Sequence, residues 1–268
     1  MYLVDDKIYI IDGNKDELIY DIHDDKLTKK RFTPKGTYLE GIVDGNIFYI
    51  GDGNHIGWDY YCNKKRVLRG VGDASFATKD AIYFVETNWH RERATFDTIE
   101  RYDIQTKKRE KITSLEFILP EAKERKKEWN DYSVRQIYVK DEYVIYTIRI
   151  IGEKNIYNDT RIYVFNTTTG VNTEIKYAES NYNTNFNFIV YKDEIYFLSM
   201  KFGYKYNMKN ENLTSLITDF DAYGSGFNYY IFDDEFIYFV FNDSLNYPAG
   251  FYRVPASGGK LEPYFLFE

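Results

Sequence analysis

The sequence predicts an all-β chain: a six-bladed β-propeller with four antiparallel strands per blade and one short helical insertion near 120–129. Three observations carry the prediction. A phrase of acidic residues followed by an aromatic and aliphatic run occurs six times, as "DDKIYIIDG", "DGNIFYIGDG", "KDAIYFVET", "KDEYVIYTI", "KDEIYFLSM" and "DDEFIYFVF". A second phrase, an aromatic inside a short alternating run, follows each copy: "LIYDI", "WDYYC", "ERYDI", "RIYVF", "YKYNM" and "FYRVP". Composition agrees, because aromatics make up 19% of the 268 residues, with 28 Tyr and 20 Phe, and aromatic and β-branched residues favour strands.

Aligned on Tyr9, Phe48, Tyr83, Tyr146, Tyr196 and Tyr238, the copies lie 39, 35, 63, 50 and 42 residues apart. A unit of about 40 residues holding four short strands is the signature of a propeller blade. The physical reason is coverage. One four-stranded sheet has two faces, and radial packing buries both against neighbours. The central runs "KIYII", "NIFYI" and "FIYFV" are accordingly apolar in consecutive positions, whereas outer runs such as Lys26 to Phe32 and Lys107 to Thr113 turn polar. A two-domain β-sandwich would also use short, evenly spaced strands, but it would not repeat one acidic turn and one aromatic order six times.

Taken in order, the blades are expected at 1–35, 36–72, 73–113, 132–178, 185–219 and 226–268, within one domain. Each begins with a short run leading into the acidic turn, as in Met1 to Val4, "TYLEGIV", "FNFIVY" and "FNYYIF". The second and third strands are the two recurring phrases. A turn-forming segment such as "HDDK", "NTTTG" or "PASGGK" then leads into a polar fourth strand. The wide gap after the third blade holds an insertion at 114–131. Its "PEAKERKKEW", Pro120 to Trp129, has Pro at a helix start, early acids and strong helix formers. In this phase the first blade ends the chain with Met1 to Val4 and the sixth with Lys260 to Phe265, so no strand is shared between them.

The pattern of an acid, Ile-Tyr-Phe, then x-Tyr-x-[Ile/Val], then a turn and Lys is fullest in "FYRVPASGGKLEPY". It resembles the repeats of six-bladed propellers of the YWTD and TolB-like kind in bacterial surface and periplasmic proteins, although no copy contains YWTD itself. The resemblance extends over the whole chain. It implies architecture first. For function it implies binding of proteins, peptides or glycans, with some enzymes among the relatives.

Charge and motifs narrow the classes. A net charge of −7 argues against a generic nucleic-acid or anionic-membrane binder, which needs clustered Lys and Arg. The basic run Lys107, Lys108, Arg109 and Lys111 falls on an outer strand, where a solvated edge is the expected role. Cys62 stands alone, so neither a disulfide framework nor a thiolate metal site is expected. His23, His55 and His90 fall in different blades without metal-ligand spacing, and "DGNKDE", Asp12 to Glu17, lacks the later positions of a calcium loop. Neither metal nor cofactor is expected. No run approaches the length of a membrane span, so the chain reads as soluble and compatible with a secreted or cell-surface parent.

Blade phase also sorts the loops. First-to-second and third-to-fourth turns share one rim and are uniformly short. Second-to-third turns and interblade connections share the other, and these are long: "TNWHRERATFDT", "IGEKNIYNDT", "YAESNYNTN", "DFDAYGSG" and "NDSLNYPAG". Scaffolds carry function on variable loops. The binding residues expected on that rim are Trp58, Trp89, His90, Arg91, Arg93, Trp129, Tyr157, Tyr182, Tyr223 and Tyr247, which combine contact area with polar handles. The competing role for any one of them is to roof the central channel.

Two function classes follow. The first is a non-catalytic propeller that recognises a protein, peptide or glycan through its long-loop face. The alternative is a hydrolase or lyase acting on a carbohydrate or lactone at the mouth of the channel. Glycoside chemistry needs facing carboxylates, and the candidates near the channel are Glu40, Asp73, Glu86 and Asp221. No sialidase box, nucleophile elbow or phosphate loop occurs. A purely structural spacer would show few exposed aromatics on either rim.

Overall fold

A computed structural model describes residues 2–4, 7–11, 17–30, 34, 36–52, 58–86, 88–90, 93–95, 98–115, 131–151, 158–177, 186–198, 202–216, 227–231, 235–241 and 248–266. Every regular element among them is a strand, and the strands pair antiparallel. The predicted helix at 120–129 lies outside the described residues.

The strands fall into sheets in chain order. The first sheet is β1 (Tyr2–Val4), β2 (Lys7–Ile11), β3 (Glu17–Asp21) and β4 (Lys26–Lys29). Next come β5 (Thr37–Val43), β6 (Asn46–Asp52), β7 (Trp58–Cys62), β8 (Lys65–Ala77) and β9 (Ala81–Glu86). A small ribbon, β10 (Asn88–His90) with β11 (Arg93–Thr95), follows β9, and then β12 (Thr98–Asp103) and β13 (Arg109–Ser114). A third four-strand run is β14 (Asp131–Lys140), β15 (Tyr143–Ile151), β16 (Asn158–Asn166) and β17 (Asn172–Glu174). The remaining two are β18 (Asn187–Tyr191), β19 (Glu194–Leu198), β20 (Gly203–Asn207) and β21 (Asn212–Ser215), then β22 (Phe227–Ile231), β23 (Phe236–Phe241), β24 (Gly250–Pro255) and β25 (Glu262–Leu266). The first four strands make one sheet and the last four another, so neither borrows a strand from the far end of the chain.

One result departs from the predicted phase. The break expected between residues 72 and 73 falls inside β8, a single 13-residue strand. Its first half pairs with β7 through Cys62↔Lys65 and Tyr60↔Leu68, and its second half with β9 through Ser75↔Phe84 and Ala77↔Ile82. β8 therefore closes one four-strand set and opens the next, giving a seven-stranded sheet in the order β13-β12-β9-β8-β7-β6-β5. Gly70, at φ +70°, supplies a left-handed backbone where the strand changes partners.

The recurring phrases have an atomic cause. Third strands end on an aromatic and then Asp or Asn: Tyr20-Asp21, Tyr102-Asp103, Phe165-Asn166 and Tyr206-Asn207. In each, the last residue's Oδ1 accepts from the backbone N–H two and three positions on. Asp103 accepts from Gln105 at 3.1 Å and Thr106 at 2.8 Å, Asn166 from Thr168 and Thr169 at 2.9 and 3.0 Å, and Asn207 from Lys209 and Asn210 at 3.0 and 3.2 Å. Asp21 makes the same pair with His23 and Asp24. These are Asx turns. In four of the sets the residue just after the third strand also donates to a carbonyl of the preceding acidic turn: Ile104 to Asp80, Thr167 to Glu142, Met208 to Asp193 and Ala256 to Glu235, at 2.8–3.0 Å; after β7, Asn63 donates instead to the Ile47 carbonyl. The two phrases recur together because each turn hydrogen-bonds to the other.

The chain divides into two compact units, 1–148 with 165–171 and 149–164 with 172–268, the division passing through the sheet β14-β15-β16-β17. In the first unit a core of Phe48, Tyr60, Leu68, Val71, Ala77, Ile82, Phe84 and Tyr102 joins the two halves of the seven-stranded sheet. In the second, Tyr196, Leu198 and Leu216 of one sheet pack with Ile237, Phe239, Phe241, Tyr252 and Val254 of the next. Tyr177, Phe186, Phe197, Phe202 and Tyr204 form a ring cluster with centroids 5.1–6.0 Å apart, and the Tyr177 hydroxyl donates to the Thr160 carbonyl at 2.7 Å. Such aromatic packing supplies geometric specificity beyond area burial.

Candidate functional site

Two irregularities of strand register bring a carboxyl group and a hydroxyl together. In β5, Leu39 pairs with Tyr49 and Gly41 with Phe48, so Glu40 is an extra residue, a β-bulge. In β8, from Val71↔Glu86 to Ser75↔Phe84, the strand advances four residues while β9 advances two. The Ser75 hydroxyl donates to Glu40 Oε2 at 2.9 Å. Both strands open their four-strand sets, and both distortions occur where they approach each other. Bulges of this kind re-aim side chains.

Desolvation holds the Glu40 carboxyl above its ordinary range, and the hydrogen bond from Ser75 offsets this only in part. On the other side of the same strand, Phe76 meets Tyr138 of β14 with centroids 4.6 Å apart, and burial pushes the Tyr138 phenol up as well. A carboxyl group with a raised pKa keeps its proton to higher pH than an exposed one, which is the property a general acid needs.

A second feature stands at the loop end of the same strands. Trp58 opens β7 and Tyr38 lies near the start of β5, so both adjoin connections of the long-loop set. Their rings meet edge to face, with centroids 5.9 Å apart and an interplanar angle of 86°. Trp58 is half-buried, while Tyr38 is 55% exposed. The register Tyr38↔Ile50↔Tyr60 puts Tyr38 on the face of β5–β7 that carries Ile50 and Tyr60 into the core.

Of the residues expected on the long-loop face, Trp58 alone has a described side chain. Trp89 and His90 lie on β10 and Arg93 on β11, in the register Trp89↔Ala94 and His90↔Arg93. Arg91, Trp129, Tyr157, Tyr182, Tyr223 and Tyr247 lie outside the described residues. Of the four channel carboxylates, Glu40 is placed as above. Asp73 falls within the distorted stretch of β8 and Glu86 ends β9, while Asp221 is outside the described residues. Sequence reasoning missed Ser75 and Tyr38, because no residue type marks a bulge. The glycine after Glu40 in "LEGIV" is the one signal that could have suggested it.

Among the described residues, no group of three or more His, Cys, Asp or Glu is arranged to hold a metal ion, and no helix is long and apolar enough to cross a membrane. Cys62 is half-buried on β7 and desolvation raises its thiol, which disfavours the nucleophilic thiolate.

No protein-family model and no curated protein matches the chain. Solved structures do. Dipeptidyl peptidase 4 of Porphyromonas gingivalis matches with a TM-score of 0.58 and 8% identity, over 98% of this chain and 45% of that one. The oligogalacturonate lyase of Vibrio parahaemolyticus matches with a TM-score of 0.57 and 11% identity, over 98% of this chain and 72% of that one. The extracellular domain of a putative hybrid two-component system of B. thetaiotaomicron gives 0.51 and 10%, over all of this chain and 34% of that one. The chain thus spans less than half the length of the first and third. These likenesses are of fold, and the fold is of the propeller type.

Proposed function

We propose that residues 1–268 form one six-bladed propeller of the YWTD or TolB-like kind, and that it is an enzyme: a hydrolase or lyase acting on a carbohydrate or lactone at the mouth of the central channel. In such a ring the first strand of each set lines the channel, which is where β5 and the second half of β8 would stand. The observation that carries the reading is the Glu40–Ser75 pair, a desolvated carboxyl group on two distorted first strands.

In this reading Glu40 is the general acid. It passes its proton to the departing oxygen as the carbon–oxygen bond breaks and the bonding electrons move to that oxygen. In hydrolysis a water oxygen bonds to the carbon and its proton passes to a base. In elimination the neighbouring carbon gives a proton to a base, and the freed pair forms the double bond. The Ser75 hydroxyl then stabilises the carboxylate that remains.

The test is turnover of a panel of neutral and uronate-containing oligosaccharides and lactones by wild type and Glu40→Gln. A substrate whose kcat falls at least a hundredfold in the variant supports the reading, since general acids contribute about 10² to 10⁴-fold. Turnover unaffected by the substitution, or none on the whole panel, would overturn it.

A second reading is favoured by the Tyr38–Trp58 pair. It is a non-catalytic propeller that recognises a protein, peptide or glycan through the long-loop face. Retention on a glycan array or in a pull-down, with no turnover, is its expected result. Loss of retention in Trp89→Ala and Trp129→Ala would extend it to the rest of the rim.

A further inference from the structure

We infer that Tyr38 and Trp58 form a sugar-stacking subsite in line with Glu40, so that the substrate spans at least two sugar rings, one on the aromatic corner and the scissile bond beside the carboxyl group. The inference rests on the carbohydrate reading above and adds the length and direction of the ligand.

Three observations carry it. First, the two rings meet edge to face at 86°, and Tyr38 leaves 55% of its surface in solvent. Edge-to-face pairs also occur inside the cores, Tyr177 with Phe186 at 81° and Phe241 with Tyr252 at 79°, so the exposure of Tyr38 is what sets this pair apart. An exposed aromatic face beside a second ring suits the apolar face of a pyranose. Second, Tyr38 and Glu40 are two residues apart on β5, at most about 7 Å along the strand, the bulge at Glu40 shortening the usual rise. That is on the scale of one sugar unit, so a ring on the corner leaves its neighbour's bond within reach of Glu40. Third, Tyr38 and Trp58 stand at the ends of β5 and β7 that adjoin connections of the long-loop set.

A proton transfer at Glu40 needs only the bond being broken, whereas the corner adds binding energy from a remote ring. Remote binding energy shows in how rate depends on ligand length. Wild type is therefore expected to act poorly on a single-sugar glycoside, which leaves the corner empty, and better on the corresponding disaccharide glycoside, with kcat/KM rising about tenfold, the scale of one aromatic contact. Tyr38→Ala and Trp58→Ala should flatten that dependence, weakening the longer substrates about tenfold more than the shortest. Trp58→Phe keeps a ring and should retain part of it. Binding is read separately by calorimetric titration of the oligosaccharides into Glu40→Gln, with and without Tyr38→Ala.

Length dependence that survives both alanine substitutions would overturn the subsite while leaving the general acid intact. Loss of all activity in an alanine variant whose circular dichroism and melting match wild type, with oligosaccharide binding unchanged, would equally remove the stacking role. Turnover that ignores Glu40→Gln would instead sink the parent reading.

Discussion

At the scale of single residues, Glu40 is the group whose chemistry is set by its surroundings. Burial raises its pKa, so the folded protein holds that proton more tightly than the unfolded chain does. The linked stability is therefore fully present below the carboxyl group's ordinary pKa and is lost as pH rises through the folded value. Glu40→Gln, which keeps the shape and removes the titration, should melt above wild type at neutral pH and converge with it in acid. Melting curves across pH 4–8 that stay parallel would refute this. Asp103 titrates the opposite way, because the Thr106 backbone N–H and hydroxyl bond its carboxylate and lower its pKa. Its contribution is present above the ordinary carboxylate range and fades as pH falls. Glu40 was legible in the sequence as one of four candidate carboxylates. Its partner was not, since Ser75 reaches it through a register slip that no residue type encodes.

At the scale of elements, the strands themselves were legible. "TYLEGIV" is β5 residue for residue, and the second strands match their apolar runs. What the pattern concealed was β8: its seam reads as turn-like "RGVGDA", yet it continues as strand with Gly70 at positive φ. Turn chemistry makes sharper predictions. Asn207→Ala removes the single Oδ1 that accepts both N–H groups of an Asx turn and should cost about 1 kcal/mol by urea denaturation, whereas Asn207→Asp should hold. The two-residue turn Asn63-Lys64 between β7 and β8 has φ of +47° and +70°, a left-handed backbone that suits Asn but strains Lys. Lys64→Gly should therefore stabilise by up to about 1 kcal/mol, the reverse of the usual effect of glycine in a strand region. A lower denaturation midpoint for Lys64→Gly would contradict that account.

At the scale of the molecule, the repeat carried the class of fold because its two phrases bond to each other in the structure, at Ile104–Asp80, Thr167–Glu142, Met208–Asp193 and Ala256–Glu235. Long loops carry no such constraint, so the sequence could sort them by rim and do little more. If all the sheets belong to one domain as proposed, unfolding should be a single calorimetric transition. Phe84→Ala in the first unit and Phe239→Ala in the second each empty a fully buried site and should cost about 3–5 kcal/mol. Both should lower that same transition. Two transitions, each moved by one substitution alone, would show that the compact units melt independently.

The last strand, β25, differs from the other outer strands. β4 and β13 carry Lys and Arg, and β21 is polar, whereas all five residues of β25 are exposed, Tyr264 and Phe265 by 61% and 60%. Arg253 is stacked between Phe236 and Tyr264, 4.3 and 5.1 Å from their centroids, so one flank of this edge is braced. The other flank shows Phe251 and Phe265 in register. For anyone handling the purified protein, the practical consequence is colloidal: concentrated samples should cluster through this rim, and a lysine in place of Phe265 should keep them dispersed.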